Sequence, residues 1–165
     1  MHTRLIFLYK NYLSTKIIPN LTLHYRTTGA DNDINMIDKI AYLHLFNGKI
    51  LSTRSKGKDR YYIPGGKREG SETDLETLVR EIKEELTVNI IPETAKLYGI
   101  FEAQAHSKSD GITVRMTCYT ADFKGKPMAS SEIAEIAWLS YKDIDSVSPV
   151  DKLIFKDLLK KGLLL

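Results

Sequence analysis

Cysteine is almost missing from the 165 residues: Cys118 is the single one, so no intrachain disulfide can form and nothing calls for an oxidising compartment. Cytoplasm is the expected location. Long hydrophobic runs are missing as well. The apolar stretch at residues 5–9, between Arg4 and Lys10, is too short for a membrane span or a signal-peptide core, so no targeting segment and no membrane partner are expected. A strong excess of one charge is also lacking, because 24 Lys+Arg stand against 21 Asp+Glu for a formal net charge of +3. That balance gives little grip on long nucleic acid and suits a small anionic ligand held by local basic clusters. There is no internal repeat and no low-complexity tract.

What is present is an ordinary globular composition. Hydrophobic residues make up 42% and charged residues 27%, which in a chain of this length supports one domain with a core that needs no disulfide or structural metal. Residues 1–35 read as an extension, because they run into the polar stretch Thr27-Thr28-Gly29-Ala30-Asp31-Asn32-Asp33, which resembles a linker. The expected domain is 36–165. Within it, residues 39–46 are rich in strand formers, and Asn47-Gly48 predicts a hairpin into 49–54. His44 and Cys118 fall in apolar strand patterns and read as packing residues.

A short strand is expected over Tyr61-Tyr62-Ile63, running into Pro64-Gly65-Gly66, where glycine permits close backbone approach. A helix follows with Thr73 as its cap and Glu76 completing a capping box. Two long strands are expected over 96–106 and 112–123, and a short one over 136–139. A closing amphipathic helix over 151–161 would carry Leu153, Ile154, Leu158 and Leu159 on its apolar side. This order fits an α/β domain with a mixed sheet packed between helices.

At about 100° per residue, Glu81, Glu84 and Glu85 share one helix face, predicted to be exposed. Like charges at that spacing cost an isolated helix roughly 0.2–0.5 kcal/mol per pair, and the C-terminal half of the helix dipole adds to the cost. Arg80 and Lys83 offset part of it. A divalent cation would offset it directly, since carboxylate oxygens suit Mg²⁺ or Mn²⁺. Taken alone, such a cluster reads as a solvated acidic face.

The surrounding spacing changes that reading. Gly66, five residues, Glu72, seven residues and then Arg80-Glu81-Ile82-Lys83-Glu84-Glu85 resembles the signature box of the Nudix hydrolases, with Pro64-Gly65 as its lead-in. The box covers residues 66–88, and the strand order from about residue 37 onward is similar to that family's α/β/α sandwich with a mixed central sheet. Thr87 stands where the family has glycine, which puts the helix exit in question, since a β-branched residue resists the left-handed conformation.

The resemblance implies divalent-metal-dependent hydrolysis of a pyrophosphate bond in a nucleoside diphosphate linked to another group, with nucleoside triphosphates among the candidates. By position, Glu81, Glu84 and Glu85 look like the metal-binding carboxylates, joined by the Gly65 carbonyl, with Mg²⁺ or Mn²⁺ as cofactor. Arg80 looks like the residue that orients them and Glu72 like its supporting partner, reached directly or through water. An added carboxylate from a distant loop falls to Glu132 first and Glu135 second. For the substrate phosphates, Arg54, Lys56, Lys58 and Arg60 are candidates, each of which also reads as a solvated loop charge. Asp151 reads either as a residue reaching a base edge or as a cap on the last helix. Tyr61, Tyr62 and Trp138 read as core packing before base stacking. The partner is a small nucleotide and the assembly a monomer or homodimer. A nucleotide-binding sensor without catalysis is the alternative, which the intact Glu81, Glu84 and Glu85 argue against.

Overall fold

The computed structural model describes residues 35–165; the expected N-terminal extension, with its apolar stretch at 5–9, lies outside them up to residue 34. Strand β1 (Met36–Tyr42) is buried on both faces. Because strand side chains alternate, Ile40 and Tyr42 enter one apolar cluster while Ala41, one residue out of phase, enters the other. β1 is therefore a central strand.

The expected continuous strand over 39–46 is broken. After β1 the chain leaves at Leu43-His44, and only β2 (Leu45–Phe46) pairs with the start of β3 (Lys49–Ser55). Asn47 and Gly48 make the turn with φ of 50° and 71°, the double left-handed geometry of a tight hairpin. β1 instead pairs antiparallel with β4 (Gly65–Gly66) and parallel with β7 (Thr113–Thr120), which pairs antiparallel with β6 (Lys96–Gln104). The result is a mixed four-stranded sheet in the order β4-β1-β7-β6. A second, antiparallel sheet runs β2-β3-β9, with β9 at Ile133–Leu139, and the short strands β5 (Asn89–Ile90) and β8 (Phe123–Lys124) pair antiparallel with each other. The expected strand at Tyr61-Tyr62-Ile63 is reduced to isolated bridges, Thr53 to Tyr62 and Tyr61 to Val147.

Helix α1 (Asp74–Leu86) starts as expected, with Thr73 and Glu76 forming a complete capping box. It buries Leu78, Ile82 and Leu86 against Ile40, Tyr42 and Leu51. Helix α2 (Pro149–Lys160) buries Val150, Ile154, Phe155 and Leu158 in the cluster that holds Ala41, Met116 and Cys118. Its inward stripe is rotated from the expected one: Leu153 and Leu159 are exposed, because the helix begins at Pro149 and sets its contacts at 150, 154, 155 and 158. No helix among the described residues is long and apolar enough to cross a membrane.

Candidate active site

Two glycines set the geometry. Gly65 has φ of 134°, and a Cβ there would run into the carbonyl oxygen of Ile40 on β1. A Cβ on Gly66 would occupy the space of the Glu81 carboxylate. Only a bare backbone therefore lets α1 lay its glutamates along β4. The Gly65 N–H donates to Glu85 Oε2 at 3.0 Å.

The three glutamates do not share one exposed face. Glu85 is buried at 6% exposure, the Glu81 side chain is 14% exposed and the Glu84 side chain 52%. Glu81 and Glu85 meet β4 while Glu84 stays half in solvent, a division that the helix periodicity could not show. Burial pushes the Glu85 carboxyl up to about 8; the charges of Glu132 and Glu81 push the same way against the Gly65 hydrogen bond. Burial also raises Glu81, opposed by Arg80.

Arg80 binds Glu72 through two hydrogen bonds, Nε to Oε1 at 2.7 Å and Nη2 to Oε2 at 2.8 Å. The same guanidinium reaches Glu81 at 3.0 Å, Glu84 at 3.5 Å and the Lys67 carbonyl at 3.0 Å. Glu72 is thus a direct partner of Arg80, and the guanidinium beside it holds its carboxyl down to about 2. The Thr77 hydroxyl at 3.0 Å and the Glu69 N–H at 2.9 Å complete its acceptor set.

A cavity of about 430 Å³ has Gly65, Gly66, Glu81, Glu85 and Glu132 in its lining, while Glu84, Arg80 and Glu72 lie outside it; the volume is usual for a small-molecule site. Glu132 faces it. Glu135 does not, since it is tied to Arg54 at 2.9 Å and to the Tyr61 hydroxyl. The basic residues expected to hold phosphate are also committed elsewhere: Arg54 to Glu135, Lys56 Nζ to the Ser131 carbonyl at 2.9 Å, and Arg60 to the Asp145 carbonyl. None of the three lines the cavity, whereas Lys58 does. Asp151 is fully buried, accepting from the Ser148 hydroxyl that caps α2, so of its two readings the helix-terminal one matches its place. Trp138 packs with His44 and Phe46 away from the cavity, and Tyr61 pairs with Glu135.

Lys39, Lys67 and Lys108 line the cavity with Lys58, and the sequence reading missed them. Among the described residues none of these four ammonium groups has a hydrogen bond or ion pair. Lys39 reaches inward from β1, and its charge favours the ionised forms of Glu81, Glu85, Glu132 and Asp151. No motif marks it, because its place in the cavity depends on β1 lying beside β4 in the sheet.

Carboxylates that repel one another around a cavity match the donor chemistry of a hard divalent cation. As the side chains stand, no three histidine, cysteine or carboxylate groups among the described residues are arranged to hold one metal ion: Glu81 and Glu84 turn to Arg80, and Glu85 to the Gly65 amide. At Thr87 the helix exits left-handed all the same, at φ 62°, with the Thr87 N–H bonded to the Lys83 carbonyl.

Residues 38–158 match the NUDIX domain family. No relative among curated proteins is matched. The chain is similar in structure to the ORF135 protein of E. coli, at 25% identity and TM-score 0.56, over 76% of this chain and 90% of that one. It is similar to a MutT protein from Methanosarcina mazei Go1, at 18% identity and TM-score 0.62, over 77% and 95%. A MutT NUDIX hydrolase from Burkholderia pseudomallei aligns at 20% identity and TM-score 0.59, over 73% and 96%. At such identities the last two speak for the fold.

Proposed function

Because the chain belongs to the Nudix hydrolase family, whose chemistry is cleavage of pyrophosphate bonds, we propose that it hydrolyses a nucleoside diphosphate linked to another group, nucleoside triphosphates being the first candidates, with Mg²⁺ or Mn²⁺. The observation that carries this reading is one cavity whose lining holds Glu81, Glu85 and Glu132 together with four lysines that have no ion pair among the described residues. Such a site accepts a cation and a polyphosphate together.

In this reading Glu81, Glu84 and Glu85 hold the metal with the Gly65 carbonyl. When bound, the cation offsets phosphate charge and eases ionisation of the attacking water. Arg80, locked by Glu72, keeps Glu81 and Glu84 in place. Glu132 serves as an added ligand or takes the proton from the water. Lys39, Lys58, Lys67 and Lys108 hold phosphate oxygens, a role in which the structure favours them over Arg54, Lys56 and Arg60. Residues 36–165 suffice for this chemistry, and a cytoplasmic location suits the lone buried thiol of Cys118.

A screen of nucleotides with Mg²⁺ or Mn²⁺, with products separated by chromatography, tests the proposal. Release of a nucleoside monophosphate, abolished in Glu84→Gln and Glu85→Gln while circular dichroism is unchanged, is the expected result. Tight nucleotide binding without turnover would move the assignment to a sensor.

A further inference from the structure

Part of the cavity lining is not used by the chemistry above. Besides its charged groups and the hydroxyl residues Thr53, Ser55 and Ser148, the lining is apolar, with Ile37, Ile63, Ala105, Val114, Met116 and Val150. An aromatic polar pair joins them: the Tyr62 hydroxyl lies 2.7 Å from His106 Nδ1, and both residues line the cavity. The pair spans the two sheets. Tyr62 is bonded to Thr53 of β3 through both backbone groups at 2.8 Å, and His106 follows Ala105, whose N–H is bonded to the Ile112 carbonyl at 2.8 Å.

The pairing also fixes the imidazole. One hydrogen bond joins the Tyr62 hydroxyl to Nδ1 and sets the plane of the ring; where the hydroxyl is the donor, Nδ1 is the acceptor. A neutral ring that accepts at Nδ1 carries its hydrogen on Nε2. Nε2 has no partner among the described residues. His106 is thus oriented through one ring nitrogen and uncommitted at the other, in the wall of the cavity.

We propose that Tyr62 donates to Nδ1 and that His106, so oriented, is the specificity-determining residue for the nucleobase, donating from Nε2 to an acceptor atom on the base edge while the base lies against the apolar side chains. The proposal rests on the nucleotide reading above. A flat apolar-faced group with edge acceptors is what such a compartment recognises, whereas a sugar hydroxyl cluster would leave its polar groups unpaired against Ile37, Val114 and Met116.

The test compares wild type, Tyr62→Phe, His106→Leu and His106→Gln on nucleoside triphosphates of different bases and on inorganic tripolyphosphate, which has no base. His106→Leu should raise KM for the preferred nucleotide about tenfold or more with kcat little changed, and should leave tripolyphosphate kinetics unaltered. His106→Gln, which restores an amide donor, should recover part of the loss, and Tyr62→Phe should fall between. The side-chain nitrogen resonances of His106 should show the Nε2–H tautomer in wild type and a mixture in Tyr62→Phe. Equal losses on tripolyphosphate, a loss confined to kcat or no loss at all would overturn the assignment. If wild type cleaves none of these compounds, the hydrolase reading fails separately. The pair is then judged by whether nucleoside triphosphates shift the His106 resonances, and unshifted resonances would overturn it.

Discussion

Arg80 and Glu72, eight residues apart, are joined by two parallel hydrogen bonds of 2.7 and 2.8 Å, one end on α1 and the other in the loop that precedes it. The guanidinium is thereby fixed in the plane from which it reaches Glu81 and Glu84. A neutral amide at 72 cannot match a bidentate carboxylate. Glu72→Gln should therefore lower kcat/KM by about tenfold or more at saturating metal and weaken metal binding, while Arg80→Lys, which loses the planar fork, should cost at least as much. Metal titrations followed by activity would check both.

Gly66→Ala should be more damaging to activity than to folding. The added methyl meets the Glu81 carboxylate, the far end of a flexible side chain, which must shift from its place on Arg80. Turnover should fall by roughly a hundredfold, as expected for misplacement of a catalytic group by about 1 Å. Thermal unfolding should shift by only a few degrees, and a variant as active as wild type would show that Glu81 has no fixed role.

Glu132→Gln should reduce kcat at least about tenfold more than Glu135→Gln, since proton-transfer roles are typically worth about 10²- to 10⁴-fold. Glu132 lines the cavity and Glu135 is held by Arg54 and Tyr61. Steady-state kinetics on both variants ranks them. The reverse order would transfer the role to Glu135.

Thr87→Gly should stabilise the fold. Thr87 sits at φ 62°, where a β-branched residue costs roughly 1–2 kcal/mol, and its buried hydroxyl has no partner among the described residues. Glycine removes both penalties but adds backbone entropy to the unfolded chain, so a net gain of about 0.5–1 kcal/mol in urea unfolding is expected. A loss would mean that the threonine side chain contributes packing that outweighs the strain.

Asp151→Asn should alter how stability depends on pH. Burial pushes the Asp151 carboxyl up to about 7 from its ordinary value of 3.8, opposed by hydrogen bonds from Ser148. Between those values the folded chain binds a proton that the unfolded chain does not, so this group's contribution falls as pH rises from about 4 to 7, by at most about 1.4 kcal/mol per pH unit. The asparagine variant lacks that loss. Its stability relative to wild type should therefore rise between pH 5 and pH 8, measured by denaturant midpoints at each pH, and a flat difference would show that Asp151 ionises as it does in the unfolded chain.

The parts of the site that lie within one element were legible in the sequence. The Thr73–Glu76 capping box, the spacing of Arg80, Glu81, Glu84 and Glu85, the tight turn at Asn47-Gly48 and the need for small residues at Gly65-Gly66 all follow from local geometry and fixed offsets. Burial of Glu85, the parting of β1 from its hairpin partner, the turned face of α2 and the commitment of Arg54 to Glu135 did not. Each depends on a partner tens of residues away. So does the set of cavity-lining cations: Arg54, Lys56 and Arg60 cluster along the chain but find acceptors in the segments around residues 131–145, whereas Lys39, Lys58, Lys67 and Lys108 meet only because β1 and the loops after β3, β4 and β6 converge on one cavity. Periodicity fixes which side of an element a residue occupies, and only the packing of elements decides whether that side meets protein, solvent or ligand.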